Sequence, residues 1–107
     1  MQRILFICSR NRLRSPTAEQ IFADFPDLET DSAGLATDAD CPLSADQITW
    51  ADLIFVMEKR HRSQLNRRFK SSLSSKKVVC LDIPDNYQFM QAELVTLLKK
   101  RVTPHLR

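Results

Sequence analysis

Cys8 and Arg14 stand six positions apart in the segment "FICSRNRLRSPT", and Ser15 follows directly. A thiol, a guanidinium and a hydroxyl at this spacing could hold an anion and attack it. The thiolate is the nucleophilic form of cysteine, and positive surroundings favour it. A guanidinium matches phosphate oxygens with a planar fork, where lysine offers only a point charge. Between them lie Ser9, Arg10, Asn11, Arg12 and Leu13, enough chain to curl into a ring with its amide N–H groups turned inward. Ser15 could cap a following helix and also donate its hydroxyl to the sulfur. The chemistry such a set supports is attack of sulfur on phosphorus, giving a phosphocysteine that water later hydrolyses. The donors that hold the phosphoryl oxygens would also stabilise the charge of the transition state. A lone cysteine closing an apolar strand is ordinarily a small core residue. The arginine at the sixth position and the Ser-Pro pair after it reverse that reading.

These residues must be positioned by the elements around them. Short, unalternated apolar runs at 4–8 ("ILFIC"), 53–57 ("LIFVM") and 78–81 ("VVCL") fit strands buried on both faces of a parallel sheet. "LETDSA" at 28–33 is a weaker strand, suited to an edge. Between the strands lie helical signals. Ser15-Pro16 forms an N-cap with proline at the first helical position, and Ala18, Ile21, Phe22 and Phe25 follow as one apolar stripe. Ser44 and Gln47 form a capping box. His61, Leu65 and Phe69 share a face of a third helix, and Met90, Leu94, Leu97 and Leu98 mark the last, ended by Pro104. The order βαβαβαβα predicts a three-layer α/β sandwich, one domain over 1–107, with a four-stranded parallel sheet and helices on both faces. In such sheets the ligand crevice lies at the carboxyl ends of the strands. Cys8 ends the first strand, and the loop after it is the candidate phosphate loop.

The polar turn "DIPDNY" after the fourth strand emerges at the same end. Asp85 there could act as acid and base, although Pro-Asp-Asn is turn chemistry in any protein; Asp82 is its rival, closer to the strand. His61 and His105 show no metal-ligand spacing. His61 reads as a helix-surface residue and His105 as part of a frayed tail. Trp50 and Cys80 read as packing residues, and Cys41 as a loop residue.

The net charge of +3 is modest, but its distribution is uneven. Residues 58–77 carry eight Lys/Arg against one Asp/Glu, around "KRHRSQLNRRFK". Phe69 is the one Phe, Tyr or Trp among these charges, and it shares the helix face of Leu65; with no row of stacking platforms, the block reads as a solvated helix face near an anion site, and a nucleic-acid surface is not expected. Three cysteines do not form a secreted disulfide framework, and the first apolar run is too short for a leader or a membrane span. The expected setting is a reducing cytoplasm.

The segment "FICSRNRLRSPTAE" resembles the signature of the low-molecular-weight protein tyrosine phosphatases, in which a strand leads into Cys-x-Gly-Asn-x-x-Arg-Ser-Pro-x-Ala-Glu. Cys8, Asn11, Arg14, Ser15, Pro16, Ala18 and Glu19 match. "DSAG" (31–34), "ADLIFVME" (51–58) and "IPDNY" (83–87) resemble further family segments. Arg10 replaces the loop glycine, Arg12-Leu13 replaces the usual Ile-Cys, and Asn86 replaces the proline after the aspartate. The chain reads as a short member, with residues missing between "DSAG" and "ADLIF". The resemblance implies the sheet order 2-1-3-4. It implies Cys8 as nucleophile, Arg14 as phosphate clamp, Ser15 as support of the thiolate and Asp85 as general acid. Ser9 to Leu13 would form the phosphate loop, with Asn11 at positive φ and hydrogen-bonded by Ser32, and Tyr87 would line the substrate mouth. The expected activity is hydrolysis of phosphotyrosine in proteins by a monomer, without cofactor or metal; the partner is a phosphorylated protein or a small phosphomonoester, not a membrane. Two other readings are a phosphate-binding module without turnover and a thiol-dependent arsenate reductase using Cys41 or Cys80.

Overall fold

The structure, a computed structural model, describes residues 1–106. Four parallel strands, β1 (Gln2–Cys8), β2 (Leu28–Gly34), β3 (Leu53–Val56) and β4 (Lys77–Cys80), form one sheet in the order β2-β1-β3-β4. The central strand β1 is fully paired on one side with β2 and over Ile4–Ile7 with β3. Its side chains alternate between two cores because successive residues of a strand face opposite ways. Ile4, Phe6 and Cys8 point into one core with Phe22, Phe55, Leu94 and Leu98. Leu5 and Ile7 point into the other with Ile48, Ile54, Val56 and Leu65. Burial on both faces explains why these strands read as unbroken apolar runs.

Helices α1 (Arg14–Ala23) and α4 (Ala92–Val102) cover the first face. There the rings of Phe22, Phe6 and Phe55 stack, with centroids 5.8 and 5.5 Å apart. Helices α2 (Ala45–Trp50) and α3 (Lys59–Phe69), with a 3-10 turn at Lys70–Leu73, cover the second. The Ser44–Gln47 capping box forms as expected.

Four local expectations need correction. Helix α1 begins at Arg14, with Leu13 at its N-cap, so Ser15 lies in the first turn and its hydroxyl is free for other work. Met90 lies before α4, not on it; it has φ of 59° and its amide bonds Thr17 Oγ1 at 3.0 Å. His105 is not frayed: it closes a 3-10 turn, and its ring meets Phe55 edge-on at 5.8 Å. His61 is fully buried, because the first turn of α3 packs beneath the loop after β1.

In this strand order the chain leaves β1 toward β2 and later crosses to β3. The crevice of such a sheet lies between the strands where the direction reverses, here between the ends of β1 and β3. Cys8 closes one strand there and Glu58 lies two residues beyond the other.

Candidate active site

The loop from Ser9 to Leu13 turns over the end of β1. A strap running on from β2 holds its outer side. The amides of Leu35, Ala36 and Asp40 donate to the carbonyls of Cys8, Ser9 and Arg10 at 3.0, 2.8 and 3.0 Å. With three loop carbonyls tied to the strap, the loop's own amides are left over. Among the described residues, the amides of Ser9, Arg10, Arg12 and Leu13 donate to no carbonyl, and these four residues line a cavity of about 640 Å3 above Cys8. Unpaired amides at a helix entrance form an anion cradle.

The turn is made without glycine. Asn11 takes φ of 57°, as expected, while Arg10 stays out of the left-handed region. Asparagine tolerates this conformation better than most side chains. The chain's one glycine serves the loop from outside. Gly34 pairs with Cys8 in register, and a Cβ there would come within 2.7 Å of the Ser9 carbonyl and 2.6 Å of Ala39 Cβ. The strap can therefore approach closely enough to hold the loop only if residue 34 has no side chain.

Cys8 is 3% exposed. Its Sγ lies 2.9 Å from Ser15 Oγ and accepts the Asn11 amide at 3.3 Å. The Ser15 hydroxyl donates its one proton to Asn11 Oδ1 at 2.8 Å, so it accepts from the Cys8 thiol and links the sulfur to the residue that shapes the turn. The Asn11 side chain is thus held by Ser15. Ser32, which the resemblance gives this task, instead donates its hydroxyl to the Glu19 carboxylate. That pair joins β2 to α1 behind the loop.

Arg14 lines the cavity and is only 2% exposed. One guanidinium nitrogen donates to Glu58 Oε2 and to the Ile83 carbonyl, both at 2.7 Å. Its Nε is 3.7 Å from Asp85. Asp85 is half-exposed at the rim of the same cavity, so the structure brings Cys8, Arg14 and Asp85 together. Tyr87 is not among the cavity's lining residues. It packs on the core shared with α4 and borders a separate shallow groove with Ala92, Glu93, Thr96, Leu97 and Lys100, because the chain turns away from the cavity after Asp85. Arg10 and Arg12 are exposed, as expected, and pair with Asp38 and Asp40 on the strap.

Two residues that pack behind the cavity, Glu58 and His61, set its charge and hydrogen bonding and are not assigned to the site in the sequence analysis. Glu58 bridges Arg14 and Arg60, the latter at 3.0 Å. Burial pushes its carboxyl upward, but hydrogen bonds and charge from the two arginines outweigh this and hold it below the usual glutamate range. His61 accepts the Glu58 amide on Nδ1 at 3.1 Å, so its proton sits on Nε2, which donates to Ser9 Oγ at 2.9 Å. Burial, then the charges of Arg14 and Arg60, depress its pKa to about 4, and the ring is neutral near pH 7. The signal for Glu58 was available. It follows a predicted strand at the crevice end, which is the argument that singled out Asp85. Helix α3 contributes the remaining wall through Arg60, Gln64, Arg67 and Arg68, a stripe at i, i+4, i+7 and i+8. Leu13, Leu35 and Ala36 supply the apolar lining.

The other thiols lie elsewhere. Cys80 pairs with Val56, which pairs with Ile7, and it packs on the second core while Cys8 faces the first. Two strand spacings separate them, roughly 10 Å between Cα atoms, beyond the ~7 Å a disulfide spans. The Cys41 carbonyl accepts the Gly34 amide on the far side of β2, again two chain spacings from Cys8. A relay of disulfides through Cys8 therefore has no partner in this arrangement. Among the described residues, no three His, Cys, Asp or Glu side chains gather as a metal site, and no helix is long and apolar enough to cross a membrane.

An ordered loop closed by a guanidinium, over the end of the first strand of a 2-1-3-4 parallel sheet, is the architecture of the low-molecular-weight protein tyrosine phosphatases, and the chain has their fold. No family model and no curated protein matches the sequence. Solved structures do match. Wzb from Vibrio vulnificus, in complex with benzylphosphonate, is 24% identical with a TM-score of 0.79, over 97% of this chain and 96% of its own. SP-PTP, a low-molecular-weight protein tyrosine phosphatase from Streptococcus pyogenes, is 12% identical with a TM-score of 0.79, over 100% and 95%. The YwlE arginine phosphatase from Geobacillus stearothermophilus is 22% identical with a TM-score of 0.75, over 100% and 99%.

Proposed function

We propose that the protein is a cysteine-dependent phosphomonoester hydrolase acting on phosphotyrosine in proteins. The observation that carries this reading is the sulfur of Cys8, met by the Asn11 amide and the Ser15 hydroxyl at the floor of a cavity that Arg14 and Asp85 also line. The phosphoryl oxygens take the free loop amides and the open edge of the Arg14 guanidinium. The Cys8 thiolate attacks phosphorus opposite the ester oxygen. An S–P bond forms, the P–O bond breaks, and its electron pair leaves on the aryl oxygen, which receives the proton of Asp85. The Asp85 carboxylate then takes a proton from water as that water attacks the phosphocysteine. Phosphate leaves, and the sulfur departs as thiolate; the Ser15 hydroxyl, which donates to Asn11 Oδ1 beside the neutral thiol, turns its one proton to the sulfur. The positive charge required comes from Arg14 and the backbone, so the reaction proceeds without metal.

The lining argues for a phosphorylated hydroxyl. Leu13, Leu35 and Ala36 offer apolar surface for an aryl ring, and the neighbouring fold of Wzb accommodates benzylphosphonate. The arginine phosphatase YwlE shares the fold, but phosphoarginine carries its own guanidinium. Six arginines and a single carboxylate line this cavity, which disfavours a cationic group. The test is hydrolysis of p-nitrophenyl phosphate and of a phosphotyrosine peptide with chelator present, beside Cys8→Ser. Turnover in the parent and none in the variant is expected. Phosphate binding with no turnover at any pH would refute the enzyme reading and leave a binding module.

A further inference from the structure

Not all of the charge around the cavity is used by a single phosphoryl group. Arg10 and Arg12 are answered by Asp38 and Asp40, and Arg14 and Arg60 share Glu58. Arg67 and Arg68, two helical turns beyond Arg60 along α3, line the same cavity. Among the described residues they have no carboxylate within ion-pair distance. Arg68 is not a loose surface chain. It donates to the Leu35 carbonyl at 2.6 Å, which fixes its guanidinium against the strap wall and leaves most of its N–H groups for a ligand. The nearest polar neighbour on the stripe is Gln64, a neutral donor and acceptor.

We propose that Arg67 and Arg68 form a second anion subsite, and that the substrates are acidic phosphopeptides with a carboxylate or second phosphate beside the phosphotyrosine. The proposal rests on the phosphatase reading and names the substrate class of that site. Cations without counter-charge, one of them anchored, at the wall of a cleft attract a second negative group and raise its local concentration. A substrate with one anionic group would leave both arginines unanswered.

The test compares kcat/KM for two phosphotyrosine peptides, one with neutral flanks and one with acidic flanks, in the parent, Arg67→Gln, Arg67→Gln/Arg68→Gln and Arg68→Lys. The quantity read is the acidic-to-neutral ratio within each protein, so a general loss of activity cancels. Two partly exposed ion pairs correspond to a ratio of about tenfold at low salt, shrinking as salt is added. The ratio is expected to fall partly in Arg67→Gln, to approach unity in the double variant and to persist in Arg68→Lys. A ratio near unity in the parent, or one unmoved in the double variant, overturns the proposal while hydrolysis itself upholds the phosphatase reading. If neither peptide is hydrolysed, the phosphatase reading has failed, and fluorescence anisotropy of the same peptides on Cys8→Ser decides the subsite by the same ratio. A single-stranded oligonucleotide is the competitor: its displacing the neutral and acidic peptides equally would assign the arginines to a nucleic-acid surface instead.

Discussion

Replacing Glu58 by glutamine tests whether the Arg14 charge is held by this carboxylate in readiness for a phosphoryl group. The Arg14 guanidinium is 2% exposed and its strong counter-charge is Glu58, at 2.7 Å. Asp85, at 3.7 Å, is half in water and screened. Opposite charges about 4 Å apart near a protein surface interact by about 4 kcal/mol. Glutamine keeps a carbonyl acceptor, and the cost of burying the carboxylate disappears, so the net loss of stability is smaller, about 2 kcal/mol. For a domain of this size that lowers Tm by about 10 °C. The carboxyl is held below its usual range, so its contribution is present above the unfolded-state value and lost as pH falls through the folded-state one; the gap between parent and variant should therefore close in acid. Inorganic phosphate should reverse much of the loss, because its charge takes over the role of the missing carboxylate and ligand binding stabilises the folded state. The assay is thermal melting of both proteins with phosphate or with chloride of equal ionic strength. The larger phosphate-induced rise is expected in Glu58→Gln. If the variant melts within about 2 °C of the parent, or phosphate raises both melts equally, the pairing of Glu58 with a phosphate-ready Arg14 is wrong.

Other expectations follow from the same geometry. His61 stays neutral down to about pH 4 while the unfolded ring takes a proton near 6.5, so its share of stability is complete above pH 6.5 and drains as pH falls toward 4. That share is about 3 kcal/mol, and chemical denaturation across this window should show a flatter slope in His61→Asn. Asp85→Asn should slow hydrolysis of a phosphotyrosine peptide about 10²–10³-fold. It should slow p-nitrophenyl phosphate less, because nitrophenolate leaves without a proton; equal slowing would remove Asp85 from the acid's role. Gly34→Ala should cost about 1–3 kcal/mol by urea denaturation, and adding Ala39→Gly should not restore activity, because the contact with the Ser9 carbonyl remains.

The backbone plan was legible because it depends on local signals. Three short apolar runs without alternation fit strands buried on both faces, and Cys8, Asn11 and Arg14 sit on one contiguous strand–loop–helix segment whose length constrains its shape. The four-strand order and the left-handed Asn11 followed from the family resemblance and hold in the structure. Contacts between distant segments were not legible. His61 looks like any polar residue near a helix start. It is buried only because β3 delivers it under Ser9, a partner 52 residues away. Ser32 and Ser15 compete for the same task, and the chain gives no local sign that Glu19 captures one and leaves Asn11 to the other. The basic stripe on α3 could be seen as a helix face. Which side of that helix meets the cavity depends on Leu65 packing into the second core.

The placement of the three thiols has a chemical consequence under oxidative stress. A peroxide that converts Cys8 to its sulfenic acid leaves it with no resolving cysteine, since Cys80 is across the sheet and Cys41 lies beyond β2. Sulfenic acids without a nearby thiol go on to the irreversible sulfinic form unless a small-molecule thiol or a backbone nitrogen captures them first. Recovery from oxidation is therefore left to the reductants of the surroundings, and the length of exposure decides whether the damage can be undone.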